Sequence, residues 1–187
     1  VNKSKGCYVW KYGAKTPEWL NLGDNKQYGV TEIFHVTESK DGNIWLAGKG
    51  VLRFNYTLQK PDYYNERFTN DLTKGNSVNS ITADEQGGIW LGNGQSGLVL
   101  LNTANDSITL FTKTDGLSDD KVSSLSYYKG YVWIICKNGI FKIDCRTKKI
   151  TSVCNIRDVY YKPYLANQLS FDATSTSFYT GAGSSVI

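Results

Sequence analysis

Hydrophobic residues in this chain fall in short runs separated by polar turns, and two kinds of run alternate. Residues 78–83 (VNSITA) switch between apolar and polar positions, as a half-buried strand does. Ile89-Trp90-Leu91 and Val99-Leu100-Leu101 are apolar at every position, the pattern of a strand covered on both faces. Between them stand Asp84-Glu85-Gln86-Gly87-Gly88 and Asn93-Gly94-Gln95-Ser96-Gly97, whose residue types close tight turns. With a last run over residues 107–112 (SITLFT), this stretch predicts four consecutive short strands.

The same pattern recurs. Gly42-Asn43-Ile44-Trp45-Leu46, Gly87-Gly88-Ile89-Trp90-Leu91 and Gly130-Tyr131-Val132-Trp133-Ile134 place tryptophans 45 and then 43 residues apart, and a period of roughly 40 to 45 residues is that of a four-stranded propeller blade. Each is followed by a glycine and a second apolar run, beginning at Gly50, Gly97 and Gly139. Gly6 stands 44 residues before Gly50, so the chain opens on third and fourth strands. Phe178 stands 45 residues after Trp133 and Gly183 stands 44 after Gly139, so the other end carries first and second strands with a third beginning at Ser185. The expected architecture is all-β: propeller blades of four antiparallel strands, about four blade equivalents in all. The boundaries are a half blade at about 1–30, blades at about 31–73, 74–117 and 118–163, and a half blade at about 164–187. Trp45, Trp90 and Trp133 are then expected to pack between blades.

Composition narrows the function classes. With 40% apolar residues in 187, the chain can bury a sizeable core. The sequence has no run of roughly 18 apolar residues that could form a membrane helix. The net charge of +4 comes from scattered lysines, with Asp119 and Asp120 beside Lys121, which argues against a nucleic-acid surface. Cys7, Cys136, Cys145 and Cys154 fall at places that hairpin pairing does not set opposite one another, and Cys7 replaces the Val51, Leu98 and Ile140 of the other units. Free, mostly buried thiols are expected. The single histidine, His35, cannot complete a zinc site with cysteines so spaced, and no Gly-x-Ser-x-Gly nucleophile elbow is present. A structural or surface role is expected for it, and no metal, cofactor or catalytic residue is assigned. Asp41, Asp84 and Asp144 sit at strand ends, where carboxylates cap backbone amides.

Asp84-x-x-Gly87-x-Ile89-Trp90-Leu91-Gly92, the Gly97-Leu98-x-x-Leu101-Asn102 run, and the linking phrase Phe111-Thr112-Lys113-Thr114-Asp115-Gly116-Leu117-Ser118 together resemble the two-component regulator propeller repeat. That repeat is typical of the periplasmic sensor regions of hybrid two-component histidine kinases from gut Bacteroidetes. The resemblance implies a non-catalytic part of a larger sensor that recognises an oligosaccharide and regulates transcription of glycan-use genes. A propeller-type surface enzyme, a lyase or a glycan-cleaving protein, and a ligand-free protein-interaction scaffold are the alternatives.

Alternating strand direction puts the loops between second and third strands on the same face as the blade-to-blade links. On that face the planar amides and charges suited to a sugar are Lys49, Asn93, Gln95, Lys137, Asn138 and Asp119, with Tyr28, Lys74, Asn76 and Asp120 in the links. The two terminal halves are complementary, so a composite blade could close the ring within one chain or join two chains as a dimer.

Overall fold

The computed structural model describes residues 6–10, 12–21, 32–55, 57–58, 60–64, 77–136, 139–155, 166–171, 178–182 and 185–186. Seventeen strands lie among them, all paired antiparallel with chain neighbours. A hairpin, β1 (Gly6–Val9) with β2 (Glu18–Asn21), opens the chain. Three four-stranded meanders follow: blade one, β3 (Ile33–Glu38), β4 (Ile44–Gly48), β5 (Gly50–Asn55) and β6 (Lys60–Tyr63); blade two, β7 (Val78–Ala83), β8 (Gly88–Asn93), β9 (Leu98–Asn102) and β10 (Ser107–Phe111); and blade three, β11 (Val122–Tyr128), β12 (Tyr131–Cys136), β13 (Gly139–Asp144) and β14 (Ile150–Asn155). A three-stranded sheet of β15 (Ala166–Phe171), β16 (Phe178–Ala182) and β17 (Ser185–Val186) ends it. β17 pairs with Gly181 and Ala182 of β16 and so takes part of the edge that a composite blade would give to β1.

Blade two shows why its middle strands carry no polar face. All of β8 is buried. Ile89, Leu91, Val99 and Leu101 pack with Trp45, Ala47 and Val51 of blade one, while Trp90, Leu98, Leu100 and Phe111 pack with Val122, Leu125, Ile134 and Phe141 of blade three. Alternate side chains point to opposite faces of a sheet, so covering both faces requires an apolar residue at every position. The outer strand β10 is mostly exposed.

Trp45 and Trp90 face the following blade, and the residue opposite each tryptophan in the third strand is Arg53 in blade one, Leu100 in blade two and Lys142 in blade three. The Arg53 guanidinium carbon stands 5.9 Å from the Trp45 centroid and 5.1 Å from that of Tyr64, and Lys142 Nζ stands 5.7 Å from that of Trp133, both within cation–π range. Phe111 stacks on Trp90 at 5.9 Å, and Tyr64 tilts against Trp45 at 4.8 Å. Trp45 and Trp90 are fully buried between blades, as the repeat predicts, whereas Trp133 is half-buried.

A buried indole N–H needs an acceptor, and the position six residues ahead of the tryptophan supplies it. In blade two the buried Asp84 accepts the Trp90 Nε1–H on Oδ2 at 2.8 Å, and on Oδ1 the turn amides of Gln86 and Gly88, both at 2.8 Å. In blade one Ser39 stands there: its Oγ accepts the Trp45 Nε1–H at 3.0 Å and donates to Asp41 Oδ1 at 2.5 Å, while Asp41 accepts from Asn43. Those hydrogen bonds outweigh the cost of burial and hold the Asp41 carboxyl below its ordinary pKa. In blade three Tyr127 occupies the place, and its hydroxyl accepts the Gly130 amide of a turn one residue shorter, at 3.1 Å.

The first strands stand side by side, β3 against β7 against β11 against β15. Each carries a register shift after its first residue, at Ile33/His35, Val78/Ser80, Val122/Ser124 and Ala166/Gln168. In blades one and two the residue after this bulge reaches the next blade's backbone. Ser80 Oγ accepts Leu125 N–H at 3.0 Å and His35 Nδ1 accepts Ile81 N–H at 3.4 Å, while Thr82 Oγ1 accepts Tyr127 N–H at 3.2 Å. The one histidine is thus a strand connector doing in blade one what serine does in blade two.

Asp84→Ala strands three donors, two of them in the buried hub of blade two, and should lower unfolding free energy by about 3 kcal/mol, since each orphaned group costs about 1–3 kcal/mol. Tyr127→Phe removes one acceptor and should cost about 1 kcal/mol. Urea titration followed by tryptophan fluorescence compares the two.

Candidate functional site

The face carrying the second-to-third-strand loops is drawn together by backbone hydrogen bonds. Gly97 N–H donates to Asp120 O at 2.7 Å and Lys49 N–H to Glu32 O at 3.0 Å, so each loop lies against a segment entering a first strand. Gly97, at φ 97°, is held to glycine: a Cβ there would meet Phe111 O.

Among the sequence-predicted residues, Asn93 is 1% exposed, and its Oδ1 accepts the amides of Gln95 at 2.8 Å and Ser96 at 3.1 Å, an Asx turn that shapes the loop. Gln95 is exposed at its tip. Asp119 accepts the Lys121 amide at 2.8 Å, and its neighbour Asp120 accepts that of Lys113, also at 2.8 Å. Lys49 forms an exposed ion pair with Glu32, Nζ to Oε1 2.7 Å, of a kind worth little in water. Lys137 and Asn138, like Tyr28, Lys74 and Asn76 of the links, lie outside the described residues. The structure therefore gathers Asn93, Gln95 and Asp119 at the junction of blades two and three and places Lys49 on the neighbouring blade.

Sequence reasoning missed two contributors. Asn79, at the bulge of β7, donates from Nδ2 to Val122 O at 3.2 Å and lies under Gly94. The linking phrase folds into a 3-10 turn over Lys113–Asp115, in which Thr112 and Asp115 cap each other's backbone and Gly116 closes at φ 111°. Thr-x-x-Asp was the available signal for that cap. The carboxylates assigned to caps do cap: Asp144 Oδ1 accepts Arg146 and Thr147 amides at 2.9 and 2.8 Å, which holds its pKa below the ordinary value.

Cys136, Cys145 and Cys154 form no disulfide, as expected. The side chain of Cys7 is outside the described set. Burial pushes the Cys136 and Cys145 thiols up to about 12. A thiol so raised stays protonated at neutral pH and is a poor nucleophile.

A blade array with this geometry defines the chain as a β-propeller protein. Residues 74–95, which hold Asp84, Trp90 and Asn93, match the family described as two component regulator propeller, and the chain carries that repeat. No curated protein matches. Among solved structures, the chain is similar to the extracellular domain of BT4673 from B. thetaiotaomicron, described once as a one component and once as a hybrid two component system. The identity is 23% over 91% of this chain and 24% of that one, with TM-scores of 0.68 and 0.67. The extracellular domain of BT3049 from the same organism, described as a hybrid two component system, gives 20% identity over 80% of this chain and 22% of that one, TM-score 0.61. YCF48 bound to D1 peptide gives 10% identity over 89% and 51%, TM-score 0.62. The chain spans about a quarter of the length of the two Bacteroides domains.

Native protein treated with iodoacetamide at neutral pH should leave Cys136 and Cys145 unlabelled, and unfolding in urea should expose both, as read by peptide mass spectrometry.

Proposed function

We propose that this chain is part of the extracytoplasmic, non-catalytic sensing region of a hybrid two-component system, that it lies in the periplasm, and that it recognises an oligosaccharide, through which the parent protein regulates genes for glycan use. The observation carrying this reading is the match of residues 74–95 to the two component regulator propeller, in an array whose other blades repeat the same packing. The likeness in fold to extracellular domains of Bacteroides two component systems supports it. The ligand-facing surface in this reading is the loop face: Gln95 and Asp119 at the junction of blades two and three, with Lys49 on the neighbouring blade, while Lys137 and Asn138 join it by their place in the repeat alone. Asn93 acts there through the turn it shapes. The turn amides and Asp120 make this face rigid before a ligand arrives, which lowers the ordering cost of binding.

His35 weakens the enzyme alternative, because its Nδ1 already serves as an acceptor between blades. A ligand that binds only the folded state raises stability by about 2.7 kcal/mol at a hundredfold excess over Kd. An oligosaccharide panel read by thermal unfolding should therefore reveal a stabilising sugar; Gln95→Ala should cut its shift without lowering the ligand-free midpoint, and Asp119→Ala should cut it with a small loss of midpoint from the Lys121 amide it frees. A sugar-induced shift unchanged in both variants removes this face as the site, and no shift with any sugar removes the carbohydrate reading for this chain.

A further inference from the structure

The bulge falls at the same end of the first strand in each of the three blades. Pairing jumps from Val78↔Asn93 to Ser80↔Gly92 in blade two and from Val122↔Cys136 to Ser124↔Ile135 in blade three, which leaves Asn79 and Ser123 outside the ladder. Phe34 holds that place in blade one. Its flanks carry structural tasks: Val78 and Val122 are buried between blades, and Ser80 holds the Leu125 amide. The flanks therefore repeat in kind, apolar before and polar after, while the bulged residue changes from aromatic ring to carboxamide to hydroxyl. A bulge interrupts a ladder and re-aims one side chain, and bulges gather beside sites of binding and chemistry.

That end of each first strand is the end at the loop face. Glu32 and Asp120, just ahead of β3 and β11, accept the loop amides of Lys49 and Gly97. Asn79 Nδ2 donates at 3.2 Å to Val122 O, the carbonyl joined to Ser123, and a Cβ on Gly94 would stand 3.3 Å from Asn79 Nδ2 and 3.9 Å from its Oδ1. Asn79 therefore lies between the bulge of β11 and the loop that carries Gln95 at its tip. Both bulged residues are half-buried. The bond through Nδ2 fixes the Asn79 carboxamide and leaves Oδ1 as an acceptor. Ser123 Oγ, which can donate and accept, has no hydrogen-bond partner among the described residues. Gln95 adds a second carboxamide, and none of the three groups is charged.

We propose that Asn79, Ser123 and Gln95 form one subsite for an uncharged sugar residue, with the bulged position as the place where each blade selects its ligand. The inference rests on the carbohydrate reading above and adds to it the residues that choose the sugar. A sugar hydroxyl both donates and accepts, so a fixed carboxamide oxygen, a hydroxyl and a second carboxamide suit neighbouring hydroxyls of one ring. None of them offers a cation to the carboxylate of a uronic acid. The ladder around each bulge holds its side chain in place before the sugar arrives, which lowers the ordering cost of binding.

Calorimetric titration of the intact chain with neutral gluco-, manno- and xylo-oligosaccharides and with oligogalacturonate tests this. A neutral oligosaccharide should bind, and Ser123→Ala should weaken it about fivefold, the worth of one hydrogen bond. That variant loses no hydrogen bond among the described residues, so its ligand-free thermal midpoint should match wild type. Asn79→Ala should weaken binding by at least as much, with a small loss of midpoint from the Val122 carbonyl it frees. Thr109→Ala, on the exposed outer strand of blade two, should bind as wild type does. If a neutral sugar binds and Gln95→Ala weakens it while Ser123→Ala does not, the subsite is overturned and the carbohydrate reading stands. Binding confined to oligogalacturonate has the same consequence, as does equal weakening by Thr109→Ala. No binding by any sugar overturns both.

Discussion

A blade with neighbours on both sides has no solvent face, and that constraint organises the molecule. It explains why β8 and β9 are apolar at consecutive positions, and why the polar groups that remain in the interior are tied to fixed partners. Asp84 holds an indole and two turn amides at once; Ser80, Thr82 and His35 hold backbone amides of the next blade. In an interior of low dielectric an unpaired group costs more than a paired one contributes. These bonds therefore fix where one blade sits against the next, while apolar contact supplies the attraction.

The repeat period, the strands of blade two, the capping role of Asp41, Asp84 and Asp144 and the burial of Trp45 and Trp90 were legible because each depends on local spacing. Other features were not. The same indole task falls to Asp84 in one blade and Ser39 in another, and Tyr127 at the equivalent place binds a turn amide. A pattern search for one residue type sees only the first. His35 carries no local mark of its bond to Ile81, which lies 46 residues on and exists only once two first strands stand side by side. The bulge shared by four first strands leaves no composition signal, since Phe34, Asn79, Ser123 and Asn167 occupy it in turn.

The candidate site was legible as a face and less so as a set of side chains. Loop polarity picked out Asn93, Gln95 and Asp119 together, and the Gly97–Asp120 bond brings their loops into contact. Composition could not say that Asn93 is a buried loop former while Gln95 is open to solvent, because asparagine serves both purposes with the same carboxamide. Rigidity of the blades and variety at their rims divide the work: the interior fixes the loops, and the loops remain free to differ from blade to blade.

Gly92 and Ala47 hold equivalent places two residues after their tryptophans, where the second strand approaches the next blade's first strand. One methyl group separates them. That difference sets how closely a second strand can approach the next blade's first strand. The size of a single side chain per repeat is thereby the spacer between neighbouring blades, and the spacing is written in the interior and not in the loops that decorate the rim.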